Sequence, residues 1–284
     1  MKNILKIMLM MIAIFTIAGS AVYAAEIPVS DQDQLITSSD WTEISNLQDE
    51  MKKEEPDATI DYDKALKVYV DCNLIKLQTA DTKKLTSALE SANYVWVIPF
   101  LPIFPFKMEK TYGMFTVAKG LPLSEEAKSV LTKAEQEEVK NHAGKWMITE
   151  TAEHTVEPYY DILLEKREAL SDCTRVVLVG SQPGMRQPVA LGMDDETARI
   201  WISLGYQYPV MEKIPETQNV ESGVYSFDSV AEISDTYIED SEVSTGAGVQ
   251  SRSSMKYVAG IGIIVIGSIL ILSVLKKKKL EDYE

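Results

Sequence analysis

The run Arg175-Val-Val-Leu-Val179, closed by Gly180, decides the fold class of this chain. After Arg175 it contains no polar residue, so it lacks the alternation of a strand with one wet face. Such a run is typical of a strand that is covered on both faces, which requires helices above and below a sheet. We therefore expect an α/β or α+β protein, with helices packed on a mixed sheet.

The segments on either side of this run have strand and helix patterns in alternation. Residues 189–193 and 198–204 predict a hairpin around the polar turn 194–197. Residues 66–70 alternate apolar and polar side chains, as a half-buried strand does. Further strands are predicted at 94–98, 114–118 and 146–149, and helices at 41–55, 81–91, 125–141 and about 155–170.

Two of these helices carry N-terminal signals. Asp40 with Glu43 three residues later resembles a capping box, and Ser124 is a good N-cap for one long helix that ends near Asn141. The long helix is expected to pack against the sheet. Its buried stripe is predicted to consist of Ala127, Val130, Leu131 and Ala134.

Both ends of the chain carry export signals. Residues 1–24 have a basic start, an apolar centre and a small-residue exit, and they predict a cleavable signal peptide. Residues 257–275 form a run without charge from Val258 onwards, about 27 Å long as a helix, which predicts one membrane span. The block Lys276, Lys277, Lys278 and Lys279 and the tail 276–284 should stay in the cytoplasm.

The mature chain then divides into a polar lead-in (25–39), one extracytoplasmic domain (40–210) and an acidic, Ser- and Thr-rich stalk (211–256). Residues 25–256 contain 40 acidic and 22 basic side chains, a net charge of −18, against −15 for the whole chain. Because such an acidic surface should repel nucleic acid, no nucleic-acid partner is predicted. The expected partners are the bilayer, through 257–275, and an extracellular or envelope protein.

Two features of the domain are candidate sites or restraints. Cys72 and Cys173 are the only cysteines, and in an exported protein they are either a disulfide or two buried thiols. The segment 99–106 has proline at every third position. Because polyproline II has three residues per turn, these prolines would lie along one edge of such a helix. This segment is predicted to be either a connector buried between two strands or an exposed apolar contact loop. Its residues are Pro99, Phe100, Leu101, Pro102, Ile103, Phe104, Pro105 and Phe106.

The sequence contains few catalytic or metal-binding patterns. Histidine occurs only as His142 and His154, and neither lies in a nucleophile motif. The Gly180–Gly184 stretch lacks the spacing of a phosphate loop, and the short carboxylate pairs lack that of a calcium loop. No catalytic residue, metal or cofactor is predicted.

The C-terminal forty residues resemble the sorting tail of Gram-positive proteins that are anchored covalently to the cell wall. The shared features are the apolar helix and the basic tail. The Leu-Pro-x-Thr-Gly pentapeptide of that family is absent, and residues 242–246 keep only Thr245 and Gly246 of it. We therefore expect the helix to remain in the membrane.

The sequence thus indicates a single-pass bacterial membrane protein with its domain outside the cell. Its function is predicted to be a non-enzymatic binding or structural one. The alternative is an extracytoplasmic hydrolase whose catalytic carboxylates or serine cannot be identified from the sequence.

Overall fold

The computed structural model describes residues 27–102, 111–154, 157–180, 182, 188–205, 214 and 219–233. The signal peptide and the segment 257–275 lie outside these residues and stay predictions. Within the described residues, no helix combines the length and the apolar character that crossing a membrane requires.

The described residues form an α/β domain around one large mixed sheet, which confirms the predicted fold class. The strands are β1 (Thr59–Ile60), β2 (Leu66–Tyr69), β3 (Tyr94–Leu101), β4 (Tyr112–Lys119), β5 (Trp146–His154), β6 (Arg175–Val179), β7 (Val189–Met193), β8 (Ala198–Ser203), β9 (Asn219–Glu221) and β10 (Val224–Ser226). The helices are α1 (Trp41–Ser45), α2 (Gln48–Glu54), α3 (Thr82–Glu90), α4 (Glu125–Val130), α5 (Lys133–His142), α6 (Tyr159–Glu165) and α7 (227–233).

The sheet consists of two antiparallel halves that meet at one pair of strands. The strand order is β5-β4-β3-β2-β6-β7-β8-β10-β9, with β1 beside β3. Only β2 and β6 run parallel among the described strands, with Val68 opposite Leu178 and Tyr69 opposite Val179. The predicted hairpin is confirmed as β7 and β8, and every residue of β6 after Arg175 is buried, as the apolar run predicts.

The N-terminal segment fills a gap between these two halves. β2 and β6 pair over two residues only, so the beginning of each strand is open on that side. Val29 bridges to Val176 of β6, and Gln34 bridges to Leu66 of β2. The chain around Asp33 is therefore held between the halves and supplies hydrogen bonds that the two strands do not make with each other.

Helices cover both faces of the sheet. On one face α1 and α2 bury Ile44 and Met51 over β3 and β4, while α3 buries Leu85 and Leu89 over β6 to β8. On the other face α6 buries Leu163. The core therefore lies on both sides of the sheet, which is why β6 has no polar alternation.

The predicted capping box at Asp40 is wrong. The Asp40 side chain makes no cap hydrogen bond to α1, and instead accepts hydrogen bonds from Tyr94 Oη at 2.9 Å and Trp96 Nε1 at 3.0 Å. Two aromatic donors on β3 thus compete with the helix for this carboxylate, and they are 54 and 56 residues away in sequence. No local pattern contains that information.

The predicted long helix at 125–141 is also wrong, because it is two helices on the surface. Ser124 caps α4 as expected, but Thr132 starts α5 with a capping box of its own through Glu135. The predicted buried stripe is not buried: Val130 is 67% exposed, and α5 contains no buried residue. We call 125–142 the helical arm.

The folded domain is longer at both ends than the predicted 40–210. Ile27, Val29 and Leu35, from the predicted lead-in, are buried in the core. In the predicted stalk, β10 pairs with β8, and α7 buries Phe227 and Val230 against the core. The packed domain therefore includes 27–39 and 219–233.

Candidate functional site

A buried cluster of charges lies where the two halves of the sheet meet. We call it the Asp33 junction, and it consists of Ser30, Asp33, Lys67, Tyr69 and Arg175. Asp33 is 2% exposed and its carboxylate accepts from Ser30 Oγ at 2.6 Å, Tyr69 Oη at 2.8 Å and Arg175 Nη2 at 3.0 Å. Lys67 Nζ is 3.7 Å from the same carboxylate. The carboxylate is therefore surrounded by donors from the N-terminal segment, β2 and β6.

The ammonium of Lys67 lies among aromatic rings. Its Nζ is 4.5 Å from the ring centroid of Tyr94, 5.3 Å from that of Trp96 and 5.8 Å from that of Tyr69. Burial lowers the pKa of Lys67, and the nearby carboxylates of Asp33 and Asp40 oppose that shift. The ring quadrupoles and the two carboxylates partly offset the free-energy cost of removing the charge of Lys67 from water.

The tyrosines of this region donate to carboxylates. Burial, followed by the charge of Asp33, raises the pKa of Tyr69, and burial with the hydrogen bond to Asp40 raises that of Tyr94. Both side chains are therefore neutral donors at physiological pH. Among the described residues, the hydroxyls, the carboxylate of Asp33 and the Nη2 group of Arg175 are paired within the chain, while Arg175 Nε is buried without a hydrogen-bond partner. Because the carboxylate at its centre is fully engaged by groups of this chain, we interpret the junction as a structural connection between the halves.

The candidate binding site is a cleft on the surface near the N-terminal helices. It has a volume of about 390 Å³ and we call it the Trp41 cleft. It is lined by Ile36, Trp41, Thr59, Ile60, Asp61, Tyr62, Asp63 and Leu101. Two of its apolar side chains face solvent, Leu101 at 51% and Ile36 at 38% exposure.

The two aromatic rings of the cleft hold each other in place. The rings of Trp41 and Tyr62 meet edge to face, with centroids 5.2 Å apart, which is a favourable geometry for an aromatic pair. Tyr62 Oη lies 3.7 Å from Met51 Sδ, and burial raises the pKa of Tyr62. The aromatic wall is therefore part of the packed domain.

The acidic side of the cleft is positioned by the sheet and by α6. Asp61 N donates to Pro99 O at 2.9 Å directly after β1 pairs with β3. Lys64 Nζ lies 2.9 Å from Asp161 of α6 and 3.7 Å from Asp61, and its hydrogen bond to Asp161 is the main cause of its raised pKa. These contacts fix the turn that carries Asp61, Tyr62 and Asp63.

The predicted segment 99–106 contributes to this cleft through one residue. Pro99, Phe100 and Leu101 belong to β3, so they are a strand and not polyproline II; Pro99 and Phe100 are buried, and Pro102 is half-buried. Ile103, Phe104, Pro105 and Phe106 lie outside the described residues. Of the described residues in the segment, Leu101 is the one that combines exposure with a place in the cleft.

Proline is tolerated inside β3 because of where its nitrogen faces. The C=O of Pro99 accepts from Asp61 N, and a residue's nitrogen and C=O point to the same side of a strand. Its missing N–H therefore faces the turn after β1 and not the ladder with β4. Sequence reasoning could not show this, because it depends on where β1 ends beside β3.

The cysteines lie on opposite faces of the sheet. Cys72 packs with Tyr69 and Leu191, while Cys173 packs with Val176 and Ala190 from the other side. Both are buried free thiols, which is the second of the two alternatives that the sequence left open. Burial raises the pKa of Cys72 to about 12 and that of Cys173 to about 11.

Sequence reasoning missed most residues of the Trp41 cleft. Trp41 was predicted only as part of the helix 41–55, and Ile36, Ile60 and Tyr62 had no functional assignment. The available signal was Leu101, as part of an unusually apolar segment. Comparisons of the chain with protein-family models, with curated proteins and with solved structures find no significant match.

Proposed function

We propose that this chain is a membrane-anchored cell-surface protein whose external domain is a non-enzymatic binding module, with the Trp41 cleft as its binding site. The observation that carries the proposal is the combination of solvent-facing apolar side chains with a preformed aromatic wall. Exposed apolar side chains grouped in a concavity are typical of binding sites.

The cleft favours a peptide that carries an apolar side chain next to a basic one. Ile36, Trp41, Ile60 and Leu101 offer apolar contact, and Asp61 and Asp63 are the carboxylates at its edge. Asp63 is exposed, so a lysine or arginine of a partner can reach it. The partner is therefore expected to be a protein, since the acidic surface repels anionic lipid and nucleic acid.

The membrane anchoring in this proposal is supported by the two ends of the sequence. Residues 1–24 carry the pattern of an export signal, and 257–275 followed by four lysines carry that of a stop-transfer helix. Partial proteolysis of intact cells that express the full chain tests this topology. The domain should be removed from outside, while a tag after Glu284 should stay protected until the membrane is opened; a tag digested in intact cells would contradict the topology.

Selection from a random peptide library on the immobilised full chain tests the cleft. Enriched peptides should pair an aliphatic or aromatic residue with a lysine or arginine. Leu101→Ser and Ile36→Ser should each reduce the affinity for the enriched peptides about five- to tenfold, because about half of an apolar side chain loses its contact. Measured affinities of the enriched peptides for each variant give this ratio.

Val130→Ser and Leu164→Ser are the matched controls, since both side chains are exposed and lie away from the cleft. They should leave the affinities unchanged. If the control variants reduce the peptide affinity as much as the cleft variants do, or if the enriched peptides are acidic, the cleft is not the binding site.

A further inference from the structure

β5 forms one end of the sheet and pairs with β4 alone among the described strands. It is nine residues long, which is longer than a typical strand. After an irregularity opposite Thr116 and Val117, residues from Glu150 to His154 run in regular register against β4. An edge strand of this kind presents alternate N–H and C=O groups outwards, where another strand can pair with them.

Carboxylates surround this edge on one face of the sheet. Glu153 lies on β5, and the end of α2 brings Glu54 and Glu55 beside it. Thr151 Oγ1 donates to Glu54, which fixes that glutamate against the strand. Burial first, and then the charges of Glu153 and Glu54, raise the pKa of Glu55, so the like charges are close enough to repel one another.

The spacing along β5 indicates which partner side chains would meet these charges. Thr151 and Glu153 are two residues apart and therefore lie on the same face of the strand. An added strand places its own residues i and i+2 on that face, next to the carboxylates. Opposite charges across neighbouring strands stabilise the pair, and like charges directly opposite destabilise it.

We propose that the outer edge of β5 binds an extended segment of a partner protein by strand addition, and that this segment carries lysine or arginine at two positions separated by one residue. Backbone hydrogen bonds supply the binding, and the carboxylates of Glu54, Glu55 and Glu153 select for the cations.

A second copy of this chain fits the edge poorly. Two antiparallel β5 strands centred on Glu150 would place the Glu150 side chains of both copies opposite each other. The two domains would also bring together two strongly acidic surfaces. Charge complementarity therefore favours a basic segment from another protein over self-pairing. The proposal does not depend on the Trp41 cleft, whose lining contains no residue of β5.

The test uses the full chain in zwitterionic micelles and a fluorescent peptide, acetyl-TVKVKVT-amide. Fluorescence anisotropy should show binding that weakens as salt is added. Hydrogen exchange should slow at amides of residues 150–154. The same peptide with N-methyl groups on all five central residues should lose binding, since neither of its edges can then form the new ladder. This comparison needs no change to the protein.

A charge-deleted variant tests selection. The triple variant should bind the peptide about tenfold more weakly, because each exposed charge pair contributes roughly twofold to the affinity. It combines Glu54→Gln, Glu55→Gln and Glu153→Gln. Glu90→Gln, Glu138→Gln and Glu165→Gln change the net charge equally at exposed helix positions and should have a much smaller effect.

Three results would overturn the proposal: equal binding of the N-methylated peptide, equal weakening by both triple variants, or protection of β5 that grows with protein concentration alone. The last would mean self-pairing at this edge. None of these results bears on the Trp41 cleft, whose variants and library are separate.

Discussion

The Asp33 junction and the helical arm are both rich in charge, but their surroundings differ completely. At the junction one carboxylate is enclosed by two cations and two hydroxyls, almost without contact with water. On the arm, the pairs Glu125–Lys128 and Glu137–Lys140 lie in solvent, and the apolar Val130 is uncovered. The same residue types therefore contribute very different free energies, because a charge pair in water is screened and a buried pair is not.

The largest expected effect is at the centre of the junction. Asp33→Asn should reduce the free energy of unfolding by about 3–5 kcal/mol, because Lys67 and Arg175 lose the anion that they share. Urea denaturation followed by tryptophan fluorescence measures this change. Glu125→Gln, which breaks an exposed pair on the arm, is the control and should cost less than about 0.5 kcal/mol. Similar losses for both variants would contradict the burial of the junction.

The reaction rates of the cysteine thiols distinguish buried from exposed positions. Cys72 and Cys173 should react with a thiol reagent about a hundredfold or more slowly than the thiol of a Val130→Cys variant at pH 8. Their raised pKa values of about 12 and about 11 leave little thiolate, which is the reactive form. Stopped-flow labelling with an aromatic disulfide measures the rates.

The sign of the pH dependence follows from these values. The rate for Cys173 should keep rising as the pH approaches 11, whereas that of an ordinary exposed thiol levels off near pH 9. Unfolding without a reductant should release both thiols at once. If only denaturant together with reductant releases them, the two are bridged and the opposite-face arrangement is wrong.

The arm should show a smaller effect that stays local. Thr132→Ala removes the cap of α5 and should cost about 1 kcal/mol within that helix. Hydrogen exchange of residues 133–142 should accelerate about fivefold, while the global melting temperature stays constant. A fall in the global melting temperature would mean that the arm is part of the cooperative core.

The smallest effect is expected for the exposed apolar side chain of the arm. Val130→Ser should change the free energy of unfolding by less than about 0.5 kcal/mol, because little of the side chain is removed from water on folding. Val176→Ser in β6 changes the same atoms at a fully buried position and should cost several times more. Thermal unfolding of both variants gives the ratio, and equal losses would mean that the arm is packed.

Sequence patterns predicted the sheet well where neighbouring residues alone determine structure. The apolar run of β6 and the hairpin of β7 and β8 were found because burial on both faces and a tight polar turn leave local signals. The arm was misjudged because amphipathic spacing shows that a helix has an apolar side, not that anything covers it. The capping box of Thr132 and Glu135 was a local signal for a new helix start, and the prediction did not use it.

The sequence by itself determined the class of fold and the acidic character of the domain, and it contains the apolar segments 1–24 and 257–275 that we propose to be a leader and an anchor. Each depends on composition or on spacing along the chain. Only the tertiary structure decided that Asp33 joins the halves of the sheet, that Leu101 and Trp41 share a cleft, and that β5 is the outermost of the described strands at its end of the sheet. These depend on residues far apart in sequence, such as Asp33 and Arg175, whose contact exists only once β2 and β6 lie side by side. Burial then sets how much each contact contributes.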